Sequence, residues 1–118
     1  MLLFPVTTLI LALAGAAPSA RAPTARASFA RDVKPVLDRY CVRCHSAARA
    51  AGGLRLDRYE AVLRGGDSGP AVIAGDAAGS LLVAKIERRD RPPMPPKRPL
   101  PRAAVAKLRA WIAAGAAP

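Results

Sequence analysis

Histidine and cysteine are scarce in this sequence of 118 residues, which has one histidine and two cysteines. These three residues, Cys41, Cys44 and His45, fall within a single short stretch. A structural zinc site usually takes four nitrogen or sulfur ligands from two separated pairs. The sequence contains no second pair, which excludes a zinc site of that kind.

Acidic side chains are also few, since 8 Asp and Glu residues face 19 Lys and Arg residues and leave a formal net charge of +11. No pair of carboxylates and no nucleophile with its base is apparent, so no acid–base or nucleophilic catalysis is predicted. The charge favours an acidic redox partner, an anionic membrane or nucleic acid, although the base composition of the gene explains it equally well. Because the sequence has no basic helix with interleaved aromatic residues, we expect no nucleic-acid binding.

Aromatic residues make up only 4% of the chain. Beyond residue 20 they are Phe29, Tyr40, Tyr59 and Trp111. A domain of under about 100 residues buries a small core, and such domains commonly need a disulfide, a metal or a bound group for stability. We therefore expect this domain to depend on a bound group or a cross-link.

Charge is absent from the first 20 residues, where an apolar run over residues 2–13 is followed by small residues. This pattern is typical of a secretory signal peptide and predicts a periplasmic or otherwise exported protein. No Lys or Arg precedes the run and Arg21 follows it, so an uncleaved membrane anchor is the alternative for residues 1–20. Residues 21–27 are predicted to be a flexible leader, and residues 28–118 the folded domain.

The spacing of apolar residues predicts an all-α domain of about four helices with long ordered loops. Ser28 is the predicted cap of a first helix, which starts late or kinks at Pro35 and ends at the cysteines. Asp57 is predicted to cap a second, short helix that ends at Gly65, and Ser80 to cap a third.

The segment 90–101, called the proline loop below, contains six prolines and is excluded from helix and from central strand. Pro101 is predicted to open a last helix that ends at Gly115.

Covalent attachment of haem through C-x-x-C-H is the interpretation that uses Cys41, Cys44 and His45 together. Two thiols about one helical turn apart can add to the two vinyl groups on one porphyrin edge, and the next residue is then placed to ligate iron. A thioredoxin-like dithiol is expected at a helix N-terminus beside a strand, and a plain disulfide here closes a small loop that stabilises little. We predict one covalent haem c.

Met94 is predicted to be the second axial ligand of that haem. His45 is the sole histidine, and after removal of a signal peptide Met94 is the only methionine that remains. The flanking prolines stiffen its loop and lower the entropy lost when the thioether is held on iron. Lys97 is a less favoured substitute, and a proline-rich recognition segment is the alternative role of the loop. Ligation by His and Met raises the reduction potential, which suits an electron carrier.

Several apolar residues are candidates to line a haem pocket, although a place in the ordinary core is favoured for the two aromatic ones. They are Tyr40, Leu54, Leu56, Leu82, Ile86 and Trp111.

The chain resembles the c-type cytochromes, and more closely the planctomycete-type cytochrome c domain, over residues 29–116. The stretches that carry the resemblance are "DVKPVLDRYCVRCH", "AGGLRLDRYEAVLRGGDSGPAVIAGDAAGSLLVAKI", "RPPMPPKRPL" and "VAKLRAWIAAGA". The resemblance implies a cytochrome c fold wrapped around one haem, in which Phe29 or Val33 meets Leu108 and Trp111. It also implies thioether bonds at Cys41 and Cys44, axial ligation by His45 and Met94, and a glycine-rich loop, residues 64–75, over the haem.

The leading hypothesis is therefore an exported, monomeric, monohaem electron carrier whose partners are redox proteins with an acidic surface. Membrane association is expected only through the N-terminal segment. Three alternatives stay open: a peroxidase-like enzyme with a labile Met94, a haem domain cut from a larger exported protein, and a haem-free module that binds through its basic surface.

Overall fold

The computed structural model describes residues 26–118, together with Leu2 and Gly15. The predicted signal peptide or anchor, and most of the predicted leader, lie outside the described residues. No helix in the described part of the chain is both long and apolar enough to cross a bilayer.

Four α-helices form the domain, and within residues 26–118 no strand accompanies them. The helices are α1 (Lys34–Tyr40), α2 (Tyr59–Arg64), α3 (Leu81–Ile86) and α4 (Arg102–Ala113). A π-helical turn, Phe29–Val33, precedes α1, and a 3₁₀ turn, Ala51–Gly53, lies between α1 and α2. The prediction of an all-α protein with about four helices is confirmed, as is the absence of regular structure from the proline loop.

The start of α1 follows from Ser28 and Pro35. The Ser28 hydroxyl accepts a hydrogen bond from the Arg31 amide at 3.2 Å, and the Asp32 carboxylate accepts one from the Ser28 amide at 2.9 Å. This reciprocal arrangement satisfies two amides at the helix start. Pro35 has no amide hydrogen, and the chain passes through the π turn before the α-helix begins at Lys34. Both predictions for this helix start are confirmed.

Two predicted caps differ in the structure. Asp57 does not cap α2, whose N-cap is Arg58, because its carboxylate takes two hydrogen bonds from Arg55, at 3.1 and 2.8 Å. A two-point, charge-assisted pair outweighs a single cap bond. Ser80 does occupy the N-cap position of α3, yet its hydroxyl donates to the Asp76 carbonyl at 2.7 Å and accepts from the Ile73 amide at 2.8 Å. The Ser80 side chain therefore stabilises the preceding loop and does not cap the helix.

The end of α4 is made by Gly115, as predicted. Its φ is +109°, and its amide donates to the Ile112 carbonyl at 3.0 Å, while the Ala116 amide donates to the Trp111 carbonyl at 2.9 Å. These two bonds form a Schellman motif, in which a residue in the left-handed region turns the chain away from the helix.

The core forms where the π turn packs against α4 and three aromatic rings meet. The ring centroids of Phe29 and Trp111 lie 5.8 Å apart, and those of Phe29 and Tyr59 lie 5.5 Å apart. The predicted contact between Phe29 and Trp111 is confirmed. The Ala117 carbonyl accepts hydrogen bonds from the Phe29 amide at 3.0 Å and from the Trp111 indole at 2.7 Å, and Tyr59 donates to the Ala116 carbonyl at 2.8 Å. The two ends of the domain are thus joined at one place.

Candidate functional site

A cavity of about 410 Å³ opens between the end of α1, the segment 54–56, α3 and the proline loop. Pockets for cofactors and small ligands usually measure about 300–1,000 Å³ and have mostly apolar walls. The predicted haem-binding side chains all line this cavity, although they come from two segments about fifty residues apart: Cys41, Cys44, His45 and Met94. Five of the six predicted pocket residues line it too: Tyr40, Leu54, Leu56, Leu82 and Ile86.

Trp111 is the predicted pocket residue that the structure places elsewhere. Its indole is fully buried and packs between Phe29 and Tyr59. Its candidacy for the haem pocket is wrong, and the place in the core that the sequence favoured is the one observed. The indole nitrogen explains the position, because its single donor is satisfied by the Ala117 carbonyl inside the core.

The two cysteines are presented by a tight turn that follows α1. The Cys41 amide still donates to the Leu37 carbonyl at 2.9 Å, and the Cys41 carbonyl then accepts from the amides of Cys44 and His45 at 3.1 and 3.0 Å. Both thiols are free and half-buried. The turn therefore holds the two thiols and the imidazole at one wall of the cavity.

The thiol of Cys41 is poorly suited to disulfide exchange. Burial, with a smaller contribution from Cys44, raises the pKa of the Cys41 thiol to about 11. Reactive dithiols instead have a lowered pKa, because the thiolate is the nucleophile. The structure thus disfavours the thioredoxin-like alternative.

His45 is fixed by backbone groups on both sides. Its ring Nδ1 lies 3.2 Å from the Leu54 carbonyl oxygen, and its own carbonyl accepts from the Leu56 amide at 2.8 Å. Since a carbonyl oxygen only accepts, Nδ1 carries the hydrogen, and in the neutral ring this leaves the lone pair on Nε2. Metal-binding histidines are commonly oriented in this way. This role of Leu54 could not be predicted from the sequence, because every residue has a backbone carbonyl and the contact depends on how the chain folds.

Met94 reaches the cavity from the proline loop, and its amide donates to the Lys85 carbonyl of α3 at 3.1 Å. Its side chain is half-buried. Lys85 also lines the cavity and was not predicted to do so. The signal that could have found Lys85 is its spacing on α3, three residues after Leu82 and so on the same face of the helix.

The glycine-rich loop lines the same cavity through Gly66, Ser68, Gly69 and Ala71. A Cβ on Gly66 would lie 2.7 Å from the Gly52 carbonyl oxygen and 3.1 Å from the Leu54 Cβ. A side chain there would push this loop away from the segment that holds His45. The glycine therefore permits the close approach that shapes this wall.

A comparison with models of protein families matches residues 41–98 to planctomycete cytochrome C. The similarity to this family covers just under half of the chain. The resemblance recognised in the sequence is thereby confirmed, and the matched segment runs from Cys41 to a point just beyond Met94. Comparisons with curated proteins and with solved structures gave no significant match.

A haem c is the group that this family implies, and the residues around the cavity fit it. The cavity combines apolar walls, two free thiols, an imidazole with an available Nε2 and a thioether. Among the described residues, no group of three or more His, Cys, Asp or Glu side chains is arranged to hold a bare metal ion. The donor set is thus that of a c-type haem site.

Proposed function

We propose that this protein is an exported c-type cytochrome that carries one covalent haem c and transfers single electrons. The observation that carries the proposal is the convergence of Cys41, Cys44, His45 and Met94 on one cavity. Three of these residues come from the turn after α1, and the fourth comes from the proline loop. Their convergence is what a site with two thioethers and two axial ligands requires.

Each of the four residues has a separate task in this proposal. Cys41 and Cys44 hold the haem covalently, and His45 offers Nε2 to the iron while the Leu54 carbonyl fixes the ring through Nδ1. Met94 offers an uncharged sulfur as the other axial ligand. When bound, a haem supplies an iron centre that gains and loses one electron. Neither change requires the protein to make or break a bond.

The apolar walls of the cavity favour the reduced state. Leu56, Leu82 and Ile86 are buried and line the cavity, while Leu54 is half-buried beside His45. They exclude water, and a low-dielectric pocket disfavours the extra positive charge of a ferric centre. Together with His and Met ligation, this suits an electron acceptor of fairly high potential.

Redox proteins with an acidic surface are the partners that we propose for this monomeric carrier. The net charge of +11 produces a positive field that attracts such surfaces over a distance. Most of the acidic side chains are already engaged, for example Asp57 with Arg55 and Asp90 with Lys85. Arg39, Arg49 and Lys107 are exposed and take part in none of the salt bridges found within residues 26–118, so we propose that they face the partner.

The test is expression of the full chain with a haem-attachment system, followed by mass measurement and a reduced-minus-oxidised spectrum. We expect the mass of one haem added and the signal peptide removed, with a c-type spectrum. The double variant Cys41→Ala, Cys44→Ala is expected to lose covalent haem. A folded, colourless parent would contradict the proposal and favour the haem-free interaction module.

A further inference from the structure

The end of α3 has a feature that its sequence does not lead one to expect, an arginine in the left-handed region of backbone conformation. Arg88 has a φ of +63°. Its amide donates to the Lys85 carbonyl at 3.2 Å, and the Arg89 amide donates to the Ala84 carbonyl at 2.9 Å. These two bonds are the Schellman motif that also ends α4.

The two helices thus end with the same backbone geometry but with different residues. α4 places Gly115 at the left-handed position, which glycine adopts readily because it has no Cβ. α3 places Arg88 there, where a Cβ crowds the backbone. An arginine thus occupies a position where glycine is favoured, and its side chain makes a contact that glycine could not make.

The Arg88 side chain contacts the proline loop immediately after Met94. Its Nη1 donates a hydrogen bond to the Pro95 carbonyl, and the residue is half-buried. A guanidinium bonded to a carbonyl is a charge-assisted donor, stronger than a neutral one. Arg88 therefore ties the C-terminal side of Met94 to the end of α3.

Lys85 ties the N-terminal side of Met94 to the same helix. Its ammonium donates to the Arg91 carbonyl at 2.9 Å and pairs with Asp90 at 3.1 Å. Its backbone carbonyl accepts from the Met94 amide at 3.1 Å. The last turn of α3 consequently holds the loop before, at and after Met94.

We propose that Arg88 is a positioning residue for Met94, which keeps the thioether in the cavity and so limits access of small ligands to the axial position. This rests on the proposed function, in which Met94 is that ligand. An external ligand binds only the molecules in which Met94 has left, so its apparent affinity rises with that fraction. Arg88 thereby keeps the iron of an electron carrier inaccessible to small molecules.

The experiment compares the haem-loaded full chain with Arg88→Gly by titrating the ferric proteins with imidazole. Glycine keeps the left-handed backbone and removes the side chain alone. We expect imidazole to bind about tenfold more tightly to Arg88→Gly, the factor that corresponds to loss of about one hydrogen bond. The ferric sulfur-to-iron charge-transfer band should weaken, and the reduction potential should fall.

Thermal stability separates positioning from a general structural role. In Arg88→Gly the relieved backbone offsets the lost hydrogen bond, so the midpoint is expected to stay within about 4 °C of the parent. Arg88→Lys keeps the charge and one donor, and should bind imidazole within about threefold of the parent. Arg98→Ala is the matched control for loss of a cation, because Arg98 is exposed and lies in the same loop. It should match the parent.

Two results would overturn the proposal, and they are distinguishable. If the parent shows the charge-transfer band and Arg88→Gly and Arg88→Lys both bind imidazole as the parent does, the role of Arg88 is refuted while Met94 ligation stands. If the parent lacks the band and Met94→Ala leaves its spectrum unchanged, Met94 is not a ligand, and both this proposal and the axial assignment fail.

Discussion

At the scale of single residues, the orientation of His45 depends on a backbone carbonyl and on the space that Gly66 leaves beside it. Gly66→Ala would bring a Cβ within 2.7 Å of the Gly52 carbonyl oxygen and 3.1 Å of the Leu54 amide nitrogen. We expect it to lower the free energy of unfolding by about 1–3 kcal/mol and to reduce haem incorporation, because segment 52–54 must move. Urea unfolding and the ratio of haem to protein measure the two effects.

Gly75→Ala is the control for that prediction. Gly75 has a φ of +84°, and apart from its chain neighbours no atom of the described residues lies within 4 Å of the position that an added methyl group would take, so the substitution tests backbone strain alone. It should cost about 1 kcal/mol of stability and leave haem incorporation unchanged. Equal haem loss in both variants would show that the close approach at Gly66 has no bearing on the site.

Met94 offers a second prediction at this scale. Met94→Ala should remove the ferric charge-transfer band and lower the reduction potential, since the thioether favours the ferrous state. Covalent haem should remain, because Cys41 and Cys44 are untouched. Optical titration and mass measurement check these outcomes. A potential equal to that of the parent would show that the sulfur is not bound to iron.

At the scale of elements, the contact between α2 and the chain end depends on one hydroxyl. Tyr59→Phe removes the hydrogen bond to the Ala116 carbonyl, which measures 2.8 Å, and keeps the ring that packs on Phe29. We expect the free energy of unfolding to fall by about 1 kcal/mol, with an unchanged haem spectrum because Tyr59 does not line the cavity. A stability equal to that of the parent would contradict this account.

The elements also show which features a sequence can disclose. Ser28, Pro35 and Gly115 act on their nearest neighbours along the chain, and the helix ends predicted from them are confirmed. The cap predicted at Asp57 does not form, because the Arg55 side chain pairs with its carboxylate. Trp111 was misplaced because its apolar pattern is the same for a core and for a pocket.

In the candidate site, too, some residues could be predicted from the sequence and others could not. The cysteines, His45 and Met94 were predicted because a motif and a count of possible ligands identify them. The Leu54 carbonyl and the Arg88 side chain could not be predicted, because their contacts depend on how distant segments pack. The pattern of apolar residues predicts neither which backbone carbonyl accepts a hydrogen bond nor which arginine has a positive φ.

At the scale of the whole molecule, paired carboxylates determine how stability responds to acid. Hydrogen bonds from Arg31, Arg55 and Lys85 lower the pKa values of their carboxyl partners, which are Asp32, Asp57 and Asp90. A lowered folded-state pKa contributes stability that is present above the ordinary carboxyl pKa and is lost as the pH falls through the lowered value. The thermal midpoint should therefore be flat from about pH 7 to 5 and fall below about pH 4.

Salt provides the check on this explanation. These pairs are only partly buried, so added salt should flatten the fall of the thermal midpoint at low pH by screening them. Asp57→Asn should flatten it as well, since the amide does not titrate. A midpoint that falls equally steeply with and without these changes would assign the acid sensitivity to other groups.

The bond from the Phe29 amide to the Ala117 carbonyl makes the domain a closed loop of chain with a single point of entry and exit. Any polypeptide that continues from either end of residues 28–117 therefore leaves the domain at that point. A neighbouring domain or a membrane tether, on either side, would be attached at the same place on its surface. A module with this geometry can be inserted into a surface loop of another protein with little disturbance to its host, as circular permutation and domain insertion exploit.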